Sequence, residues 1–318
     1  MSLGAAVSTS FTTDPLCQAA EAAWKAGIVV VTASGNLGRV NTYGNQGYGT
    51  ITAPGNDPFV ITVGSMKTNG TASPSDDTIA SYSSKGPTVI DHVIKPDLVA
   101  PGNRVISILD THGNKNYSAI TNEVPQSYWL TGGSTNVTFT PYYRISGTSM
   151  AAGVVSGAAA LLIQQNAAVT PDQVKARLMK SASKTFPAAS VATDSSVTPP
   201  QSFTSQYDIF TVGAGYLNIP AALANQDAFP PQINTLSPAA VLDSANGNIF
   251  MVTDYSQAPG LQTWGSSALW GTSALWGTSA LWGTSALWGT SALWGTGTQT
   301  GAEATAVALN GDDEPVHQ

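Results

Sequence analysis

The chain has 318 residues, of which only 10% are charged, and a formal net charge of −7. That length holds one large domain plus an appendage, and an acidic chain with no basic cluster excludes nucleic acid as an expected partner. Cys17 is the single cysteine, so no internal disulfide forms. No apolar run is long enough to span a bilayer, and no signal-peptide pattern precedes Gly4.

Asp14-Pro15 predicts a helix start, with the carboxylate as cap and proline in the first turn. Leu16, Ala19, Ala20, Ala23 and Trp24 form its apolar stripe, Cys17 reads as a small buried packing residue, and Gly27 ends the element. Ile28 to Ala33 is a β-branched run and predicts a buried strand. It ends in Ser34-Gly35-Asn36. Ligands of an open α/β sheet bind beyond the carboxyl ends of its strands, so Asn36 is placed where its amide could donate to an oxyanion. Alone, it reads as a turn residue. Strand and helix in alternation predict a parallel sheet with helices on both faces.

Asp76-Asp77 are adjacent carboxylates in a loop rich in Ser, Pro and Thr. Calcium needs about six to eight converging oxygens, so a solvated loop is the plainer reading. Residues 110 to 142 are polar and read as an inserted loop bordering either the cleft or solvent. Gly147-Thr148-Ser149-Met150-Ala151 then opens a helix expected to run to about Gln165. A helix start presents unpaired N–H groups and favours negative charge. A serine there is either a cap or a nucleophile whose oxyanion is held by backbone donors. Gly153, Gly157 and the neighbouring alanines predict a helix that passes close to its neighbours in the core. Thr170-Pro171-Asp172-Gln173 has capping-box spacing and opens another helix.

From about Pro230 the character changes. Trp264, Trp270, Trp276, Trp282, Trp288 and Trp294 recur in a Trp-Gly-Thr-Ser-Ala-Leu repeat. An even period keeps them on one face of an extended segment, and the recurrent glycine disfavours helix. The repeat reads as a low-complexity spacer or as an interaction strip for polysaccharide or self-association. Asp312-Asp313-Glu314 reads as a solvated tail.

Several of these stretches, in order, resemble the subtilisin-like serine peptidases: Met1-Ser2-Leu3-Gly4, Ala33-Ser34-Gly35-Asn36, Phe59 to Gly64, Ala80 to Pro87, Lys95-Pro96-Asp97-Leu98-Val99-Ala100-Pro101-Gly102, Ser146 to Ala151 and Gly213 to Asn218. The resemblance implies serine endopeptidase chemistry, with Ser149 as nucleophile and Asn36 as oxyanion donor. It implies substrate contacts from Ser2, Leu3 and Gly4 on one side, with Ala33, Ser34 and Gly35 as pocket wall. The expected fold is a three-layer parallel-sheet subtilisin-like α/β fold, N-terminally incomplete, with a β or low-complexity C-terminal tail. The expected boundaries are a peptidase domain over 1–228, a linker over 229–263, the repeat over 264–296 and a disordered acidic tail over 297–318.

The family's Asp-x-Gly and His-Gly-Thr segments, which precede the oxyanion asparagine, have no counterpart here. The histidines are His92, His112 and His317, all downstream of Asn36 and all plainer as loop or tail residues. A serine without a base is a weak nucleophile, so the chain is expected to be inactive alone, with the missing N-terminal segment as its partner and a peptide or protein as substrate. The resemblance also implies calcium as a cofactor, though no metal site is placed, and an extracellular or cell-surface location. Two function classes stay open: a serine endopeptidase by lineage, and a non-catalytic surface or scaffold protein bearing the tryptophan strip. An α/β-hydrolase esterase fits poorly, because Ala151 stands where Gly-x-Ser-x-Gly needs its last glycine.

Overall fold

The computed structural model describes residues 1–41, 44–108, 122–125, 128, 142–195, 197–230, 233, 235–243, 248–252, 307–308 and 311–312. The tryptophan repeat, most of the 110–142 loop, His112 and His317 lie outside these residues.

Helix α1 spans Pro15–Lys25, and Asp14 caps it by accepting from the N–H groups of Leu16 and Cys17. Its inner face is Cys17, Ala20 and Trp24. Ala19, expected on the stripe, is exposed, because Cys17 lies at the centre of the buried face and its thiol donates to Asn56 Oδ1 at 3.2 Å. Strand β1 is Val31–Ala33, shorter than the β-branched run. The Ile28 N–H turns back to Ala23 O, which leaves Ile28 exposed and delays pairing.

Strand β2 (Ile61–Lys67) runs parallel to β1, pairing Val31 with Ile61, and parallel to β4 (Leu98–Pro101), pairing Val63 with Leu98. The short β3 (Thr78–Ile79) is antiparallel at the far end of β2. Hairpin β5–β6 (Val105–Ile108 and Tyr142–Ile145) leads into α2, Thr148–Gln165. Helix α3 (Pro171–Ser181) begins with the expected capping box, Thr170 and Gln173 bonding each other's backbone N–H. Hairpin β7–β8 (Ala189–Asp194 and Gln201–Gln206), α4 (Ile219–Ala224) and hairpin β9–β10 (Ala239–Asp243 and Asn248–Val252) complete the described elements. The result is an α/β fold around a parallel sheet.

Alternation along the strands sends side chains two ways. Val31, Ile61, Val63, Leu98 and Ala100 join Ala151, Val155, Ala158 and Leu162 of α2 in the largest cluster, with α1, α3 and α4 also contributing. Met66 and Val99 enter a second cluster with Tyr207, Val212 and Tyr216. Each fully buried aliphatic side chain stabilises the fold by roughly 1.5–3 kcal/mol. Among the described residues, helix α2 is covered on this inner side only. Gly153 and Gly157 are exposed, and an added Cβ at either meets nothing within 4 Å, so the close-packing expectation for them is corrected.

Two boundary expectations are also corrected. Thr235, Leu236 and Ser237, assigned to a linker, are buried. Ser237 donates to Asp97, and the Ile94 N–H bonds Pro238 O at 2.7 Å. Asp312, assigned to a solvated acidic tail, is 1% exposed.

Candidate functional site

The site is built at the carboxyl ends of β1 and β4, the strands flanking β2. After β1, Gly35 adopts φ +109 in a cramped turn where an added Cβ would lie 2.7 Å from Ser84 Oγ and 2.9 Å from Thr52 Cγ2. Only glycine fits, and the turn delivers Asn36 over the sheet edge. After β4, Gly102 accepts from the Gly147 N–H at 2.9 Å. An added Cβ at Gly102 would meet Ser65 Oγ at 2.5 Å, so the two loops touch through backbone.

Thr148 joins them. Its backbone N–H and its hydroxyl both donate to Asn36 Oδ1, at 2.9 and 3.0 Å, while Thr148 Oγ1 accepts from the Gly35 N–H at 3.2 Å. Because the Thr148 N–H can only donate, its partner must be the carboxamide oxygen, which fixes which way the amide points. The nitrogen end lies toward Gly147, 3.2 Å from the position of a Cβ built there. Gly147 itself has φ +151 and lacks a side-chain cap, leaving the first turn of α2 to backbone donors.

Ser149 is half-buried on that first turn. Its carbonyl accepts from Ser2 Oγ at 3.0 Å, which seats Ser2, Leu3 and Gly4 beside the helix start. These three residues are exposed, and Gly4 passes Thr52 so closely that a Cβ would lie 2.6 Å from Thr52 Oγ1. Ala33 and Ser34 are buried, so any wall they form is backbone, with Gly35 at its rim. The structure thus places the expected nucleophile, oxyanion and substrate-contact residues in one neighbourhood, with Thr148 linking the Asn36 loop to the start of α2 and Ser2 bonded to Ser149 O. A serine, a side-chain amide and a helix start in one neighbourhood are the groups that acyl transfer uses.

Sequence reasoning missed Thr148. It lies inside the quoted motif, but only the fold shows that its N–H and hydroxyl orient Asn36. It also missed Tyr82, fully buried behind the site, whose hydroxyl reaches Gly102 O at 3.2 Å and Ser65 Oγ at 3.0 Å.

Among the described residues no base is hydrogen-bonded to the Ser149 hydroxyl. The described histidine, His92, lies beyond the other end of β4. Its N–H bonds Thr88 O, its carbonyl accepts from Ala240, and the chain then runs through Asp97 and β4 before reaching Gly102.

The donors for the calcium that the resemblance implies do not converge. Asp76 accepts from Thr71, whereas Asp77 is buried and accepts from Tyr216 Oη at 2.6 Å. The solvated-loop reading therefore holds for Asp76 and is corrected for Asp77. Among the described residues no group of His, Cys, Asp and Glu could hold a metal ion.

The charges of Lys95-Pro96-Asp97 lie away from the site, at the amino end of β4. Asp97 meets Lys95 Nζ at 2.7 Å and Lys175 Nζ at 3.2 Å, all fully buried. Burial alone would raise the Asp97 carboxyl, but the two ammonium groups outweigh it and hold it below its usual range. Burial lowers both lysines, and Asp97 pulls them partly back.

The α/β fold thus places a serine-bearing helix start and a carboxamide on adjoining loops beyond the carboxyl ends of parallel strands. The chain belongs to the subtilase family (peptidase S8), whose model matches residues 1–211. It is 42% identical over 171 residues to serine protease AprX of Bacillus subtilis (strain 168), covering 54% of this chain and 34% of AprX. It is 27% identical over 207 residues to subtilisin DY of Bacillus licheniformis, covering 65% of this chain and 51% of that protein. Among solved structures, that of the prenylagaramide maturation protease PagA matches with a TM-score of 0.42 and 21% identity, covering 66% of this chain and 55% of that one. The chain spans between about a third and a half of the length of these two curated relatives.

Proposed function

We propose that this chain carries the nucleophile and oxyanion half of a serine-type endopeptidase site. Ser149 attacks the scissile carbonyl of a peptide or protein, and the Asn36 amide, with the Ser149 backbone N–H, stabilises the oxyanion. The observation that supports this most is the pair of bonds from Thr148 to Asn36 Oδ1, which sets the amide beside the nucleophile loop. Ser2 to Gly4 flank the substrate backbone, and the Ala33 to Gly35 backbone walls the adjoining pocket.

The Ser149 proton needs an acceptor, and among the described residues none is hydrogen-bonded to its hydroxyl. The base and the residue that orients it therefore come from outside the described residues, supplied by an N-terminal subtilase segment as partner. By family, the assembled enzyme works at the cell surface or outside the cell. Among the described residues no helix is long and apolar enough to cross a membrane.

Fluorophosphonate labelling tests the proposal. The chain alone should label slowly. Adding a subtilase N-terminal segment that carries the Asp-x-Gly and His-Gly-Thr motifs should speed labelling at Ser149, and Ser149→Ala should abolish it. Equal labelling of the Ser149→Ala chain, or none in the reconstituted one, would dismiss the nucleophile assignment and leave the scaffold reading.

A further inference from the structure

We infer that residues 307–308 and 311–312 form a strap that docks in cis and clamps together the two loops of the candidate site. Arg39 lies three residues after Asn36, and Ser146 lies three residues before Ser149. The strap reaches both. Arg39 Nη2 meets Asp312 Oδ1 at 2.9 Å, and the Arg39 Nε–H donates to Ser81 Oγ at 2.7 Å. Ser81 gives Asp312 both its backbone N–H, at 2.6 Å to Oδ2, and its hydroxyl, to Oδ1. Asn103 pairs the Asp312 backbone twice, accepting from its N–H at 2.8 Å and donating to its carbonyl at 3.2 Å. Both carboxylate oxygens and both backbone groups of Asp312 are therefore taken up in a closed socket, in which the Asp312 side chain is 1% exposed and that of Arg39 8%.

The other end of the strap grips the nucleophile loop. The Ser146 N–H bonds Ala308 O at 2.9 Å. Val307, 1% exposed, packs on Ala80 and Tyr82, and it is Tyr82 whose hydroxyl reaches Gly102 O beneath Gly147. Between these contacts Gly311 adopts φ +62, where an added Cβ would fall 2.2 Å from Asn103 Oδ1 and 2.3 Å from Ser146 Oγ. Such a fit is that of a built seat, since any side chain at 311 would collide with both walls at once.

Charge, main-chain pairing and apolar burial thus converge on one short segment far along the chain from the residues it binds. The carboxylate neutralises Arg39, which also pairs with Asp194 at 2.7 Å and so carries the clamp on to β7. The docking stands on its own contacts. Its consequence for the site rests on the reading of Asn36 and Ser149 proposed above.

The test keeps the chain whole until the last step. A site-specific cleavage sequence is inserted after Thr300, the purified protein is cut, and the product is run on a native sizing column. The fragment from residue 301 onward should co-elute with a monomer-sized body. Release of the wild-type fragment would overturn the strap, and retention only in a concentration-dependent dimer would overturn docking in cis. Asp312→Ala and Val307→Asp, each checked for an unchanged far-ultraviolet spectrum, should each cause release, by different contacts. Retention of both variant fragments would remove the assigned anchors. Amide exchange read on peptides over 34–39 and 144–150 should quicken at least about threefold in Asp312→Ala, and unchanged exchange in both would overturn the clamp while leaving the fluorophosphonate result to judge the nucleophile separately.

Discussion

The two ends of the parallel sheet solve opposite problems. At the amino end, beside the starts of β2 and β4, Lys95, Asp97 and Lys175 are sealed from water, and the lysines also donate to the carbonyls of Pro58 and Val60. At the carboxyl end, Asn36, Thr148 and Ser149 are neutral; Thr148 is buried and the other two are only partly covered. Charge is spent where nothing has to enter or leave, and locks the strand starts in register. Neutral hydroxyl and amide groups line the end where a substrate carbonyl would arrive. They cost little to desolvate, and they stabilise only the charge that appears during reaction.

The sharpest way to break this contrast is Asp97→Asn. It leaves two buried ammonium groups without a counter-charge, and the expected loss is about 3–5 kcal/mol, enough to unfold much of the population. A urea denaturation midpoint within experimental error of the parent would show that the cluster is not what holds the amino end. At the carboxyl end the expected cost falls on rate. Asn36→Ala should slow acylation of Ser149 in the reconstituted site by about 10²–10³-fold, or roughly 3–4 kcal/mol. Thr148→Val keeps the N–H to Asn36 Oδ1 but drops the hydroxyl's bonds to Asn36 and from the Gly35 N–H, so it should cost about 1–2 kcal/mol. Equal effects from Asn36→Ala and Thr148→Val would mean that the amide acts on structure rather than on the oxyanion.

Asp57 is an exception at the amino end, and pH exposes it. Burial pushes its carboxyl from 3.8 up to about 7, although it accepts from the Phe59 N–H, because Oδ2 has no partner among the described residues. A raised carboxyl favours the native state while protonated. That contribution is complete below pH 3.8 and is lost as pH climbs to about 7. Asp57→Asn keeps the acceptor for Phe59 and removes the titration. Its thermal midpoint should therefore exceed the parent's at pH 8 and converge with it toward pH 4. Parallel midpoint curves for the two chains would reject the assignment.

What the sequence made legible follows the same division. The site residues lie in short contiguous motifs at predictable places, after a β-branched run and at a small-residue helix start, so Asn36 and Ser149 could be placed beside each other before any fold was seen. Capping chemistry at Asp14 and Thr170 was equally local. The amino-end cluster was not legible as a whole: Lys95 and Asp97 are neighbours, but Lys175 and Ser237 arrive from far along the chain. Asp312 was misread for the same reason. An acidic run near the end of a chain reads as solvated until Arg39 and Ser81 are found against it, and nothing local announces such partners. Thr235 to Ser237 were hidden among prolines that suggested an exit from the domain.

The outer face of α2 gives the smallest effect and the cleanest correction. The Gly and Ala content suggested that Gly153 and Gly157 face close neighbours in the core, where a larger residue at 157 would overpack. The buried residues instead fall at Ala151, Ala152, Val155, Ala158, Ala159 and Leu162, leaving Gly153 and Gly157 on the open side. There a glycine contributes only its backbone freedom, which opposes helix formation. Gly157→Ala should therefore stabilise the chain by about 0.5–1 kcal/mol, and Gly157→Leu should be tolerated, because the added atoms enter open space. A fall in thermal midpoint for both variants would mean that another surface covers this face, and a fall for Leu alone would show that its cover leaves room for one methyl group only.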